Sequence, residues 1–314
     1  MGDDKEYVRG RLAVGRGVTV KAPAKVNLHL EILRRRHDGY HEIETVLQAV
    51  SLFDKVEVTL NERYPGGEPQ IQLTVAGPKH IPRDESNLCW RAARHFCREQ
   101  GVSGDLTIHL TKAIPAAAGL GGGSSDAAAV LVACDRLFGT SLELDALQSL
   151  GSGLGADVPF FIRGGTALGR GIGDDLLALP HLNTSRILLI KPRVALMTSD
   201  VYGSLRMGLT VNSAKASIKV IGPMLTRFPQ ENWPGFNRLE DVVLPAQPVV
   251  ERIVRRLQEL APVAMLSGSG SAAFGVFPAD FDLTEILAEF AGLGVWMKVV
   301  TPCAGGVQIV GEVA

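Results

Sequence analysis

The stretch PAAAGLGGGSSD, Pro115 to Asp126, carries four glycines and two serines and runs directly into the apolar segment AAAVLVACDRLF. Glycine lacks the Cβ that keeps a ligand off the backbone, and it tolerates the positive φ that turns successive N–H groups toward one point. Where such a loop opens a helix, the first N–H groups are unpaired and lie at the positive end of the helix dipole. An anion is favoured there, and a phosphate suits those donors best. A plain loop capped by Ser124 or Ser125 is the simpler alternative; the glycine density, the two hydroxyls and the preceding strand argue against it.

The loop is neither of the two common phosphate motifs. A P-loop needs G-x-x-x-x-G-K-[ST], and no lysine follows Gly123. A dinucleotide fingerprint needs a third glycine and an acidic residue at a later strand end, but Gly119-Leu120-Gly121-Gly122-Gly123-Ser124 ends in serine and Asp135 falls inside the next helix.

Three other stretches carry groups that could act beside it. KAPAKVNLHLEI sets Lys25 and Asn27 two apart in a strand-like run, where a solvated edge face would be the simplest role. LGADVPFFI sets Asp157 among apolar residues just before Val158 and Pro159, where it could be an N-cap. MLSGSGSAAFGVF offers a second glycine-serine turn, containing Gly268 and Ser269, for which an ordinary hairpin suffices.

Positioning these groups requires a mixed α+β scaffold. Period-two alternation predicts strands over 18–33, 52–60, 71–77 and 105–115. Helical spacing predicts helices over 87–101, stopped by Gly101, and over 125–139 after the glycine loop. Beyond a Pro-containing connection lie a strand at 186–192, a loop-rich stretch near 208–238 and a helix at 248–260. A strand pair around the second glycine turn (261–278), a helix at 283–294 and strands at 296–302 and 306–311 complete the chain.

The chain has 314 residues, 46% of them hydrophobic and 21% charged, enough for two moderate cores, and two domains are expected. With 32 Lys+Arg against 33 Asp+Glu, no overall charge favours nucleic acid or an anionic membrane. Cys89, Cys97, Cys134 and Cys303 show no C-x-x-C spacing, so reduced thiols in a cytoplasmic protein are expected rather than a zinc site or disulfides. The N-terminus lacks the apolar core of a secretory signal, and no apolar run approaches the ~18 residues of a membrane span.

Taken together, the four stretches resemble the GHMP kinase superfamily of small-molecule kinases. Within it, PAKVNLHLEILRRRHDGYHEIETVLQAVSLFD, and D-G-Y-H at 38–41 above all, is similar to the 4-diphosphocytidyl-2-C-methyl-D-erythritol kinase family; GLGGGSSDAAA, LGADVPFF and LSGSGS follow in that family's order. The similarity is clearest over 19–180 and moderate over 240–275. The resemblance implies a two-domain GHMP-kinase fold: a ribosomal-protein-S5-like N-terminal domain (19–180) and a ferredoxin-like α/β sandwich C-terminal domain (181–314), preceded by an N-terminal extension (1–18).

It also implies ATP-dependent phosphorylation of the substrate's 2-hydroxyl in the non-mevalonate route to isopentenyl diphosphate. The ATP phosphates would lie against Pro115, Ala116, Ala117, Ala118, Gly119, Leu120, Gly121, Gly122, Gly123, Ser124 and Ser125, with Asn87, Leu88 and Lys112 at adenine-side positions. Asp157 would take the hydroxyl proton with Lys25 beside it. Asn27, Tyr40, His41, Tyr202, Gly268 and Ser269 would meet the substrate, the aromatic pair Tyr40 and Tyr202 sandwiching cytosine. Magnesium (Mg2+) is expected with ATP, held mostly by phosphate oxygens and water with Ser125 or Asp126 nearby. The partner is a small molecule, with no nucleic acid or membrane, and the chain a monomer or homodimer. The alternatives are another GHMP alcohol kinase, for homoserine or mevalonate, a nicotinamide-dependent oxidoreductase, and a nucleic-acid-binding module.

Overall fold

The computed structural model describes residues 12–180, 182, 185–205, 233 and 235–313. Residues 1–11 of the expected extension, and most of the loop-rich stretch expected near 208–238, lie outside the described residues.

Two long strands, β1 (Leu12–Arg35) and β2 (His41–Tyr64), form an antiparallel hairpin that carries the rest of the molecule. Strand β1 begins within the expected extension, pairing Leu12 with Arg63. Strand β2 is longer than the 52–60 expected from alternation. Its residues Thr45 to Val50 are all buried, so both faces are covered and the period-two signal disappears there.

Strands β3 (Gln70–Ala76) and β4 (Ser103–Thr111) pair in parallel, with helix α1 (Leu88–Gln100) crossing between them. Helix α1 buries Cys89, Ala92, Ala93, Phe96 and Cys97, one face at helical spacing, and ends at Gly101 with φ 62°. Next come α2 (Gly122–Phe138), α3 (Leu144–Ser152), α4 (Val158–Arg163), β5 (Thr166–Arg170) and β6 (Asp175–Ala178). The short elements α3, α4, β5 and β6 are too brief to declare a period. Helix α2 starts at Gly122, earlier than the sequence suggested, so the glycine loop supplies its first turn.

The remaining elements are β7 (Ser185–Lys191), α5 (Thr198–Gly203), α6 (Glu240–Ala246), α7 (Pro248–Leu260), β8 (Val263–Leu266), β9 (Ala273–Pro278), α8 (Thr284–Ala291), β10 (Trp296–Val300) and β11 (Gln308–Val313). Strands β10, β7, β9 and β8 form, in that order, an antiparallel four-stranded sheet. The seven-stranded sheet runs β11-β1-β2-β4-β3, with β5 on β2 and β6 on β5. The last strand thus returns to the first sheet.

Strand β1 passes through three packed clusters in turn. Val18, Val20 and Ala22 join the cluster under α1 and α2. Ala24, Val26 and Leu28 join one with Ile187, Met265 and Phe274 of the second sheet. Leu30 and Ile32 join a third with Val250, Ile253 and Leu257 of α7. These even-numbered residues share one side of the strand, which leaves the odd-numbered ones for another use.

Candidate active site

The odd-numbered side of β1 presents Lys25 and Asn27, which are 4% and 3% exposed, so a solvated edge face is excluded. Lys25 Nζ donates to Asn27 Oδ1 at 2.6 Å. Asn27 Nδ2 donates to Thr45 Oγ1 at 2.9 Å, and that hydroxyl donates to the His29 carbonyl at 2.7 Å. The chain of bonds fixes both rotamers from β2. Thr45 gave no sequence signal, because its partner is eighteen residues away across the hairpin.

The glycine loop is tied down on two sides. The N–H of Lys25 donates to the Leu120 carbonyl at 3.0 Å, and the N–H of Ala272 donates to the Ala118 carbonyl at 3.1 Å. Ser267 Oγ donates to the Gly119 carbonyl at 3.0 Å. The loop is therefore clamped between β1 and the turn joining β8 to β9. Gly119 has φ 73°, and a Cβ there would fall on the Ser267 carbonyl; at Gly121, also φ 73°, it would press on the Phe161 ring and Lys25 Cγ. Only glycine meets both demands.

Gly122, Gly123 and Ser124, the first three residues of α2, have no intrahelical acceptor for their N–H groups, and the first turn holds no acidic side chain. Ser125 differs: its N–H already bonds the Gly121 carbonyl, and its side chain is fully buried.

Beneath the loop lies a charged cluster. Lys112 Nζ donates to Asp126 Oδ2 at 2.7 Å and also to Asp54 Oδ2. Asp54 Oδ1 accepts from the N–H groups of Ala113 and Ile114, at 2.5 and 2.8 Å. Burial works against the Lys112 ammonium, but the two carboxylates outweigh it and raise its pKa. Asp126 is pushed up, first by burial and then by the charge of Asp54, against the pull of Lys112. Asp126 Oδ1 is buried with no partner among the described residues. Sequence reading missed Asp54, which sits in a plain amphipathic strand.

Asp157 immediately precedes α4, yet its side chain makes no capping bond. Burial pushes the Lys25 ammonium below the usual lysine range, and the Asp157 charge acts the other way. Burial, then the same charge, raises the Tyr202 phenol. Asp157 is thus electrostatically coupled to both.

The D-G-Y-H stretch is the tip of the β1–β2 hairpin. Asp38 Oδ1 accepts from the Tyr40 N–H at 3.1 Å, and the Arg36 N–H donates to the Tyr40 carbonyl at 2.7 Å. Tyr40 stands 62% exposed. His41 faces Tyr202 with ring centroids 5.3 Å apart. Burial, then Arg35, holds the His41 imidazole below its usual range.

Lys25, Asn27, Thr45, Lys112, Asp126, Asp157 and the D-G-Y-H aromatics line one cavity of 1190 Å³, while Asp54 stands behind its wall. Every residue singled out from the sequence lines it except Ser125. Asn87 does so while capping α1: Oδ1 accepts from the Cys89 N–H at 2.9 Å and Nδ2 donates to the Pro82 carbonyl at 2.7 Å. Ser269 is held by Thr198, the hydroxyl oxygens 2.9 Å apart. Among the described residues no helix is long and apolar enough to cross a membrane.

Residues 87–165 match the GHMP kinases N terminal domain. A 4-diphosphocytidyl-2-C-methyl-D-erythritol kinase of Geobacter metallireducens is 37% identical over 290 residues, covering 90% of this chain and 98% of that protein. A crystal structure of 4-(cytidine 5'-diphospho)-2C-methyl-D-erythritol kinase superposes with a TM-score of 0.73 at 34% identity, over 92% of this chain and 99% of that one. Homoserine kinase from Cytophaga hutchinsonii has the same fold at 21% identity and a TM-score of 0.72, covering 94% of this chain and 97% of that one. With its phosphate-type loop, buried lysine and hairpin-tip aromatics around one cavity, the chain belongs to the 4-diphosphocytidyl-2-C-methyl-D-erythritol kinase family of the GHMP kinases.

Proposed function

We propose that this chain transfers the γ-phosphoryl group of ATP to the 2-hydroxyl of 4-diphosphocytidyl-2-C-methyl-D-erythritol, releasing ADP and the 2-phosphate. The observation that carries the reading is that the glycine loop and the D-G-Y-H hairpin tip, 80 residues apart in sequence, open onto one cavity with Lys25 and Asp157 on its wall. A phosphate site alone fits any GHMP alcohol kinase; the hairpin tip with Tyr202 supplies the aromatic surface that a cytosine needs.

Phosphoryl transfer asks the protein mainly for positioning and charge stabilisation. The free N–H groups of Gly122, Gly123 and Ser124, at the positive end of α2, hold the phosphates. Asp157 accepts the proton of the attacking hydroxyl. Lys25, held by Asn27, offsets the charge that develops on the transferring group. Asn27, fixed by Thr45, meets the acceptor end of the substrate, and Tyr40 and Tyr202 flank the base with the His41 backbone at its edge. Gly268 and Ser269 close the wall beside Lys25.

Asp126 lines the cavity from the first turns of α2, and its Oδ1, without a partner among the described residues, suits a divalent ion brought in with ATP. Among the described residues no cluster of three or more acidic, His or Cys side chains could hold one alone, so phosphate oxygens and water would supply the remaining ligands. Such an ion neutralises phosphate charge.

The test is ADP release with Mg-ATP and, separately, 4-diphosphocytidyl-2-C-methyl-D-erythritol, mevalonate and homoserine, locating the new phosphate by phosphorus NMR. Turnover with the cytidine compound alone, at the 2-position, is expected. Turnover with a different alcohol would overturn the reading of Tyr40, His41 and Tyr202.

A further inference from the structure

The turn at Gly268 and Ser269 packs directly against the glycine loop and lies close to the reacting groups. A Cβ on Gly268 would stand 3.1 Å from Lys25 Nζ and 3.2 Å from Asn27 Oδ1. Gly268 has φ 52°, and Ser267 on the same turn binds the Gly119 carbonyl. A displacement here would move Lys25, Asn27 and the loop relative to one another.

What holds the turn is Asn237, which is 2% exposed. Its Nδ2 donates to the carbonyls of Leu266 and Gly268, each at 2.8 Å. Its Oδ1 accepts from the Leu239 N–H at 3.0 Å. Both amide hydrogens and the amide oxygen are used, so the side chain has one orientation. Glu240 adds a second hold, with Oε1 accepting from the Leu266 N–H at 2.7 Å.

Asn237 is in turn anchored on the strand that carries Lys25. It forms a parallel bridge to Leu30 of β1. The Leu30 N–H donates to the Phe236 carbonyl at 2.7 Å and the Arg238 N–H to the Leu30 carbonyl at 2.8 Å. Arg238 grips Glu31 with two bonds of 2.9 Å. The circuit therefore closes: β1 presents Lys25 and Asn27, β1 also holds Asn237, and Asn237 holds Gly268 back against Lys25 and Asn27.

We propose that Asn237 is a positioning residue for phosphoryl transfer, fixing the Gly268 turn against Lys25 and Asn27 without touching either substrate. The inference rests on the kinase reading of the cavity. Leucine or alanine at 237 would leave two buried carbonyls without donors, and the turn would loosen toward water. Water at Gly268 would reach Lys25, whose ammonium is depressed chiefly by burial.

The test compares Asn237→Ala and Asn237→Ser with Arg238→Met, which cuts the neighbouring anchor to Glu31 but leaves the turn's own bonds. Asn237→Ser keeps a side-chain oxygen that can cap the Leu239 N–H and buries no charge beside Lys25, so a folded protein remains for assay if the alanine variant aggregates. Three quantities are read: kcat with its basic pH limb, the KM for ATP, and the titration midpoint of Lys25 followed by carbon-13 NMR of labelled lysine. The Lys25 signal is assigned by its loss in Lys25→Met.

The expected result is a kcat lower by at least about tenfold in both Asn237 variants, a KM for ATP changed less than about threefold, and a Lys25 midpoint moved up toward that of free lysine. Arg238→Met should lower the melting temperature while keeping the wild-type midpoint. Asn237 variants with kcat within about threefold of wild type and an unmoved Lys25 midpoint would overturn the proposal. The NMR midpoint needs no turnover, so a wrong substrate would defeat the functional reading without deciding this one.

Discussion

The backbone N–H of Lys25 donates to the carbonyl of Leu120 at 3.0 Å, so the buried ammonium and the glycine loop are fixed to each other by main chain rather than by side chains. Substituting the lysine side chain leaves that bond in place. Side-chain variants at this wall therefore report chemistry with the loop still held.

The first prediction uses that separation. Asp157 makes no capping bond, so Asp157→Asn should fold normally. Steady-state kinetics should show an unchanged KM for ATP and a kcat reduced by at least about 10²-fold, the lower range for loss of an acid/base group. Near-normal turnover would remove Asp157 from the role of base.

Lys25 itself gives a pH signature. Its ammonium is depressed by burial, so activity that needs the charged form should fall on the basic side below pH 10.5. Arginine stays charged throughout that range. The Lys25→Arg enzyme should be slower yet lose this basic limb, and a limb that persists unchanged would belong to another group.

The scaffold of this site was legible wherever a period could express itself. The α1 stripe and its Gly101 stop are local patterns, and β1 shows its period over 18–32 because every even-numbered residue there is apolar and buried. Strand β2 hid its first half because Thr45 to Val50 are covered on both faces. Lys25, Asn27 and Asp157 stood out as charged or amide groups among apolar neighbours. Thr45, Asp54, Thr198 and Asn237 did not, because each matters through a partner distant in sequence: Asp54 binds Lys112 and Ile114, and Asn237 binds Gly268.

The aromatic pair makes a third prediction. Tyr202 faces His41 at 5.3 Å and Tyr40 stands exposed at the cavity mouth. Tyr202→Phe keeps a π-face and should keep the KM for the cytidine substrate within about threefold; Tyr202→Ala removes a stacking surface worth roughly 1–3 kcal/mol and should raise it about tenfold or more. The KM for ATP should not move in either. Equal effects on both substrates would place Tyr202 in general packing instead.

The cluster below the loop predicts stability rather than turnover. Lys112 lies between Asp54 and Asp126, and all three are buried. Lys112→Met would leave two carboxylates without a counter-charge, a change that typically costs about 3–5 kcal/mol. Urea unfolding should show that loss, and adding Asp54→Asn and Asp126→Asn should recover part of it. A Lys112→Met protein as stable as wild type would mean the carboxylates find water or protons without cost.

Glu240 supplies the last prediction, through pH. Burial raises its carboxyl from the ordinary 4.5 to about 7, against the Leu266 N–H bond and Arg255. The native state then binds a proton that the unfolded chain has already released, so stability falls as pH rises from about 4.5 to about 7 and levels off above. The span corresponds to about 3 kcal/mol. Glu240→Gln keeps an oxygen for the Leu266 N–H and has nothing to ionise. In urea unfolding it should match wild type near pH 4.5 and exceed it by up to about 3 kcal/mol at pH 8. If the two proteins differ by the same amount at both values, the Glu240 carboxyl titrates as it would in water and the Leu266 bond is made by the carboxylate at no cost.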